Sequence, residues 1–428
     1  MITHHLRNKK QFKISKGNIE SKLLHWGRQF KYFHYFNPND VDYPHGGFHH
    51  FFTAANKKIN ASDLNEVDRI TSGGDGICGF ISYETKNRFY PLKSPARRQI
   101  SYPEFGFYIP QVVVEIENDG ITIYSNDDPE DLWCQIIQTE IHIEKTSSPI
   151  GLNANTDKST YIKNVQQIKE RIVEGDYYEI NYCIGFEGKH HTFDPVNRYL
   201  ALCDKSPMPF SVLMKYEQKW LLCASPERFL KKEGQRLLSQ PIKGTIKRGK
   251  NAEEDEELKH RLRQSEKEVA ENMMIVDLVR NDLSKCASKG SVQVDELFGI
   301  YTFRSVHQMI STVSARIKEG LTFSAIIENT FPMGSMTGAP KLRVMQEIDA
   351  LENQQRGLFS GTIGYIHSNG DFDFNVVIRS IFFDDTTKDI GVQVGSAITY
   401  DAHAEYEYDE CLLKARPLFE TIGHSGRF

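Results

Sequence analysis

The chain has 428 residues, 39% of them hydrophobic and 25% charged, which is enough for one large core or two ordinary ones. A net charge of -5, with Lys and Arg interleaved among Asp and Glu, argues against nucleic acid as a partner. No stretch reaches the about 20 apolar residues that span a bilayer, and the start MITHHLRNKKQ lacks the apolar core of a secretory signal, so the expected compartment is the cytoplasm. The seven cysteines have no paired spacing and read as reduced thiols buried as small hydrophobes.

Residues 1–143 combine short alternating runs, such as 111–117 and 120–124, with turn residues, which predicts a strand-rich α+β region. Gly74, Gly76 and Gly79 in GDGICG have a dinucleotide-binding spacing, but they lead into the strand-like FISYE and not into a helix that would seat a pyrophosphate. Residues 144–158 are polar and rich in Ser, Asn and Pro. They read as a linker between a first region, 1–143, and a second, 159–420. Tyr161, Val165, Ile168 and Ile172 recur at helical spacing with Gly175 as a stop, and Ile180, Tyr182, Ile184 and Phe186 then alternate as a strand. His4, His5, His190 and His191 form tandem pairs without a metal-ligand pattern and read as surface histidines.

Six stretches of the second region carry candidate chemistry. SPERF, with Glu227, is followed by a KKEGQ turn and then PIKGT, with Lys243. A hairpin centred near residues 234–235 would set the carboxylate across from the amine, although an isolated pair of this kind reads first as a surface salt bridge. A helical run over 253–284 has Leu258, Leu262, Val269, Met273 and Val276 as its apolar face. Glu268 and Glu271 share one side of it, beside Met, Ile and Val, where a carboxylate needs a partner or a cation. In FPMGSMTGAPK, Gly334 and Gly338 permit a tight loop, Pro340 suits a first helical position, and free backbone N–H groups there suit an anion. DFNVVIRS reads as a strand with Asn375, Val377 and Arg379 on one face, and an Asn-Gly turn joins it to SGTIGYI, which carries Tyr365. Near the end, Glu407, Glu410 and Lys414 share one helix face.

The ordered set SPERF, PIKGT, ENMMIVDLVRND, GAPK, SGTIGY, IRS and AEYEYDE, spread over 160–420, resembles the chorismate-binding enzymes, with weaker similarity around GFISYE and FGFYIPQ. The resemblance implies an α+β fold of two face-packed antiparallel β-sheets surrounded by helices. It implies magnesium held by Glu271 and Glu407, with Glu410 and Glu268 near the ion. It also implies a substrate carboxylate held by Arg379, Tyr365 and the backbone around Gly395 and Ala397, with Thr337, Gly338 and Lys414 contributing.

Branches of the family that form anthranilate or isochorismate usually carry Ala where PIKGT has Lys243. The lysine therefore resembles the branch that aminates chorismate at ring carbon 4, giving 4-amino-4-deoxychorismate on the way to 4-aminobenzoate and folate. In that scheme Lys243 is the nucleophile, Glu227 the acid and later the base, and a separate glutaminase supplies ammonia. Attack requires an uncharged Lys243, and Glu227 is expected to be protonated with substrate bound. Two departures stand out. Gln308 occupies the place of an active-site histidine, and His307, one residue earlier on a strand, faces the other way. Ala397 stands for a glycine, as FPMGS does for a double glycine. The competing readings are amination to anthranilate and a silent chorismate-binding subunit.

Overall fold

The computed structural model describes residues 2–3, 5–14, 18–94, 100–141 and 150–424. Local chemistry explains the elements nearest the site. The helix Lys158–Val173 starts where the Asp157 carboxylate accepts from the Thr160 N–H, buries Tyr161, Val165 and Ile168, and gives way at Gly175, whose φ is +85°. The strand Glu179–Lys189 follows, as the alternation predicts. Arg228–Glu233 and Arg236–Gln240 form the expected hairpin around Gly234, and Thr362–Ile366 pairs with Phe372–Asn375 across the turn that contains Gly370.

These strands belong to two antiparallel sheets, one of 12 strands and one of nine, with helices packed around them. Both sheets draw on both ends of the chain. Tyr32–Asn37 pairs with Phe210–Tyr216 in the larger sheet, and Ile77–Ile81 pairs with Thr362–Ile366 in the smaller. One continuous apolar cluster runs from Ile2 to Ile422. The polar stretch 144–158 is thus not a seam between two cores, and its residues 144–149 lie outside the described ones. Arg228, fully buried, makes a two-pronged contact with Asp373, 2.9 Å for each nitrogen, which ties neighbouring strands together. Among the described residues no helix is long and apolar enough to cross a membrane.

Five expectations are corrected. The helical run over 253–284 is two helices, Ala252–Arg263 and Glu266–Cys286, because Ser265 caps a fresh start by accepting from the Glu268 N–H. Met273 is 40% exposed and so lies off the apolar face. DFNVVIRS is not one strand: pairing stops at Asn375, Arg379 has a φ of +51°, and pairing resumes at Ser380 in the other sheet. His190 is buried, not on the surface, and Cys134 is exposed while the other six cysteines are buried.

Candidate active site

The larger sheet, the smaller sheet and two helices converge on a cluster of charged side chains. Glu268 and Glu271 come from the helix Glu266–Cys286, Glu407, Glu410 and Lys414 from the helix Ala404–Ile422, and Lys243 from the strand Ile242–Lys247. Glu227 sits in the bend between two strands. Its expected partner lies elsewhere. The hairpin register ends with Arg228 opposite Gln240, and the strand that carries Lys243 pairs with Val306–Arg316. Lys243 Nζ instead donates to Glu179 Oε1 at 2.6 Å, with the lysine side chain 11% exposed.

The carboxyl of Glu227 is buried, near Ser335 and the backbone at Ile242. Burial pushes it up to about 7, with Ser335 and the charge of Lys243 opposing. Burial acts to lower Lys243, but the carboxylates of Glu179, Glu271 and Glu227 outweigh it and hold the ammonium above its ordinary range. In the substrate-free chain Lys243 is therefore a cation, the opposite of the neutral amine that attack requires.

Glu271 Oε1 is buried without a hydrogen bond, and burial pushes its carboxyl up to about 7, against the pull of Lys243. Lys267 Nζ lies between it and Glu407, 3.8 Å from the first and 3.3 Å from the second. Burial likewise raises Glu407 and Glu268. Burial also acts to raise Glu410, but Lys414, 2.6 Å away, reverses it and leaves the carboxyl low. Among the described residues no three potential ligands already converge as a metal set. Two buried carboxylates bridged by an ammonium, one with a bare oxygen, nevertheless fit a hard cation that keeps open positions.

Lys414 also donates to the Gly395 carbonyl at 3.0 Å. A Cβ on Gly395 would fall 2.5 Å from Cys183 Sγ, so the backbone there runs close to its neighbour strand, and Ala397 pairs with Asn181 two residues on. Among the described residues the Arg379 guanidinium has no hydrogen bond or ion pair. Burial lowers its proton affinity, and Glu410 is the charge that opposes this. A guanidinium that is only partly exposed and has no partner is a ready site for a carboxylate.

Thr337 is spent locally: its hydroxyl donates to the Met333 carbonyl at 3.1 Å, and its own carbonyl accepts from the Asn181 N–H at 2.7 Å. Gly338, with φ of +141°, pairs with Ile180 so closely that a Cβ would lie 2.0 Å from the Glu179 carbonyl. Gln308 is buried, and its Oε1 has no partner. His307 faces the other side, between Thr302 Oγ1 at 3.0 Å and Asp255 Oδ1 at 2.9 Å, as strand alternation requires. Tyr365 is not brought to the cluster. Its ring packs against Phe36, Phe48 and Phe51, and its hydroxyl accepts from the His49 N–H at 3.3 Å, because its strand turns that face to the core.

Sequence reasoning missed Glu179 and Lys267. For Glu179 a signal existed: in DYYEINYC it shares parity with Asn181, giving a polar stripe on a strand whose other face is Ile180, Tyr182 and Ile184. Lys267 had none, since a lysine in the first turn of a helix reads as a solvated charge.

Comparison with known proteins agrees with this architecture. The family described as chorismate binding enzyme matches residues 27–420, and the chain belongs to it. Aminodeoxychorismate synthase component 1 of Escherichia coli is 33% identical over 353 residues, covering 81% of this chain and 77% of that protein. The chloroplastic aminodeoxychorismate synthase of Arabidopsis thaliana is 41% identical over 282 residues, covering 65% of this chain. The match spans only 30% of that plant protein's length. The crystal structure of anthranilate synthase component I from Streptococcus pneumoniae superposes with a TM-score of 0.74 at 24% identity, over 96% of this chain and 92% of that one, and supports the fold.

Proposed function

We propose that the chain aminates chorismate at ring carbon 4, giving 4-amino-4-deoxychorismate, in the cytoplasm and with ammonia from a separate glutaminase. The observation that carries this reading is Lys243: an enclosed amine surrounded by carboxylates, within electrostatic reach of a buried acid, Glu227, whose pKa is pushed up to about 7.

Arg379 takes one substrate carboxylate, and the backbone at Gly395 and Ala397 lines the same side. Glu271 and Glu407 are the pair that would hold magnesium, with Glu268 and Glu410 on the same helix faces. Bound there, the ion supplies positive charge that anchors a second carboxylate. Lys243, once deprotonated, attacks C2, the double bond migrates, and the C4 hydroxyl departs as water with a proton from Glu227. Ammonia then adds at C4, the lysine amine is expelled, and the surplus proton of the new amine passes to Glu227. An acid near 7 suits both directions of transfer at neutral pH. Gln308 can hydrogen-bond the substrate but cannot shuttle a proton. Pyruvate stays on the ring, so a lyase must complete 4-aminobenzoate.

The alternative of ortho-amination to anthranilate gives Lys243 no task, and a silent binder gives none to Glu227 and Lys243 together. The purified chain, supplied with chorismate, magnesium and an ammonium salt, is expected to yield 4-amino-4-deoxychorismate by mass, with glutamine effective only after a glutaminase is added. Fluorescent anthranilate as the main product would contradict the reading, and no product at all would favour the silent binder.

A further inference from the structure

Glu179 is 1% exposed, its Oε1 lies 2.6 Å from Lys243 Nζ, and its Oε2 has no hydrogen-bond partner. Its backbone is fixed from the far side, because Ala339 pairs with it and Gly338 approaches so closely that no side chain fits between them. The carboxylate thus has little freedom to leave the amine. Four other carboxylates lie within electrostatic reach of the same amine: Glu227 from the strand bend, Glu268 and Glu271 from one helix, and Glu410 from the other. Among the described residues none of them forms an ion pair with it, and Glu179 does.

We propose that Glu179 is a positioning residue that fixes the Lys243 amine and sets the pH at which it becomes a nucleophile. A buried ammonium without a contacting partner sheds its proton readily, whereas one held by an equally buried carboxylate keeps it. The proposal deepens the reading of Lys243 as nucleophile and rests on it for its catalytic meaning. It adds a residue whose side chain, among the described residues, hydrogen-bonds that amine alone.

The test needs no chorismate. Lysines of the intact chain are labelled with trace acetic anhydride across a pH series, and the extent at each is read by peptide mass and normalised to its plateau. In the wild-type chain the midpoint for Lys243 is expected to lie above that of exposed lysines such as Lys57. In Glu179→Gln, which keeps the shape and removes the charge, the midpoint should fall. Normalised labelling near neutral pH should then rise about tenfold for every pH unit by which the midpoint drops. Glu179→Asp should stay close to wild type, and the pH–rate profile for amination should move with the labelling midpoint.

A wild-type midpoint at or below that of the exposed lysines overturns the proposal without any variant. Equal midpoints in wild type and Glu179→Gln overturn it too, as does a Glu179→Asp chain that behaves like Glu179→Gln. C4 amination that survives Lys243→Ala is a different failure: it removes the nucleophile reading and leaves the labelling result standing.

Discussion

Glu227 is a carboxyl that the fold makes harder to ionise, and this has a cost in stability that depends on pH. Its pKa rises from 4.5 in a solvated chain to about 7 through burial, with Ser335 and Lys243 opposing. The folded state therefore binds its proton more tightly. The stabilisation is fully present below about pH 4.5 and is lost as pH rises through 7. Glu227→Gln removes this dependence, so its melting temperature relative to wild type should climb between about pH 5 and pH 8. Thermal unfolding followed by circular dichroism at both ends of that range checks it, and an equal offset at both would refute the burial argument. At this scale the sequence tells much about which residues matter and less about whom they meet. Glu268 and Glu271 stand out as carboxylates beside Met, Ile and Val, and Lys243, Glu227 and Glu407 through the ordered motifs that carry them. The Lys243–Glu179 contact joins strands 64 positions apart, and no local pattern encodes it. Tyr365 departs from its expected place for the same reason: its parity on the strand is clear, but which face meets the aromatic core depends on Phe36, Phe48 and Phe51, which lie far away in sequence.

Two helices bring the carboxylates together, and each contributes one that is at most 10% exposed: Glu271 from Glu266–Cys286 and Glu407 from Ala404–Ile422. If the pair holds magnesium, removing either charge should weaken binding without unfolding the chain. Calorimetric titration of the free chain with magnesium is expected to show at least roughly tenfold weaker binding for Glu271→Gln and for Glu407→Gln, with unchanged circular dichroism. Wild-type affinity in both variants would remove the pair from the metal site. Elements whose signals are local are readable in the sequence: the helix Lys158–Val173 through its apolar spacing and Gly175 stop, and the hairpins through Gly234 and Gly370. The break at Ser265 is also a local signal, a capping residue three positions before Glu268, hidden by the length of the amphipathic run. The interrupted strand at 372–379 is of another kind. Its chain leaves one sheet and enters the other between Asn375 and Ser380, a step that alternation of side chains does not announce.

Across the whole molecule, strands from before residue 141 lie inside both sheets, so the first region is part of the scaffold that holds the site. Composition marks a polar stretch at 144–158, but sheet continuity is a long-range property that composition does not carry. Deleting residues 1–149 would strip the partners of Phe210–Tyr216 and Thr362–Ile366 and expose their apolar faces. The remaining fragment should show no cooperative thermal transition, whereas a sharp melt near that of the full chain would mean that the second region folds alone. The site stands at the meeting of this scaffold and the two helices, and its proposed chemistry turns on one amine. The most direct measurement is product analysis by mass after incubation of wild type, Lys243→Ala and Lys243→Arg with chorismate, magnesium and ammonium salt. The account predicts 4-amino-4-deoxychorismate from the wild type and none from either variant, because a guanidinium stays protonated and cannot attack C2. A Lys243→Arg chain that makes the product at near wild-type rate would contradict it, since Lys243 would then act only as a positive charge.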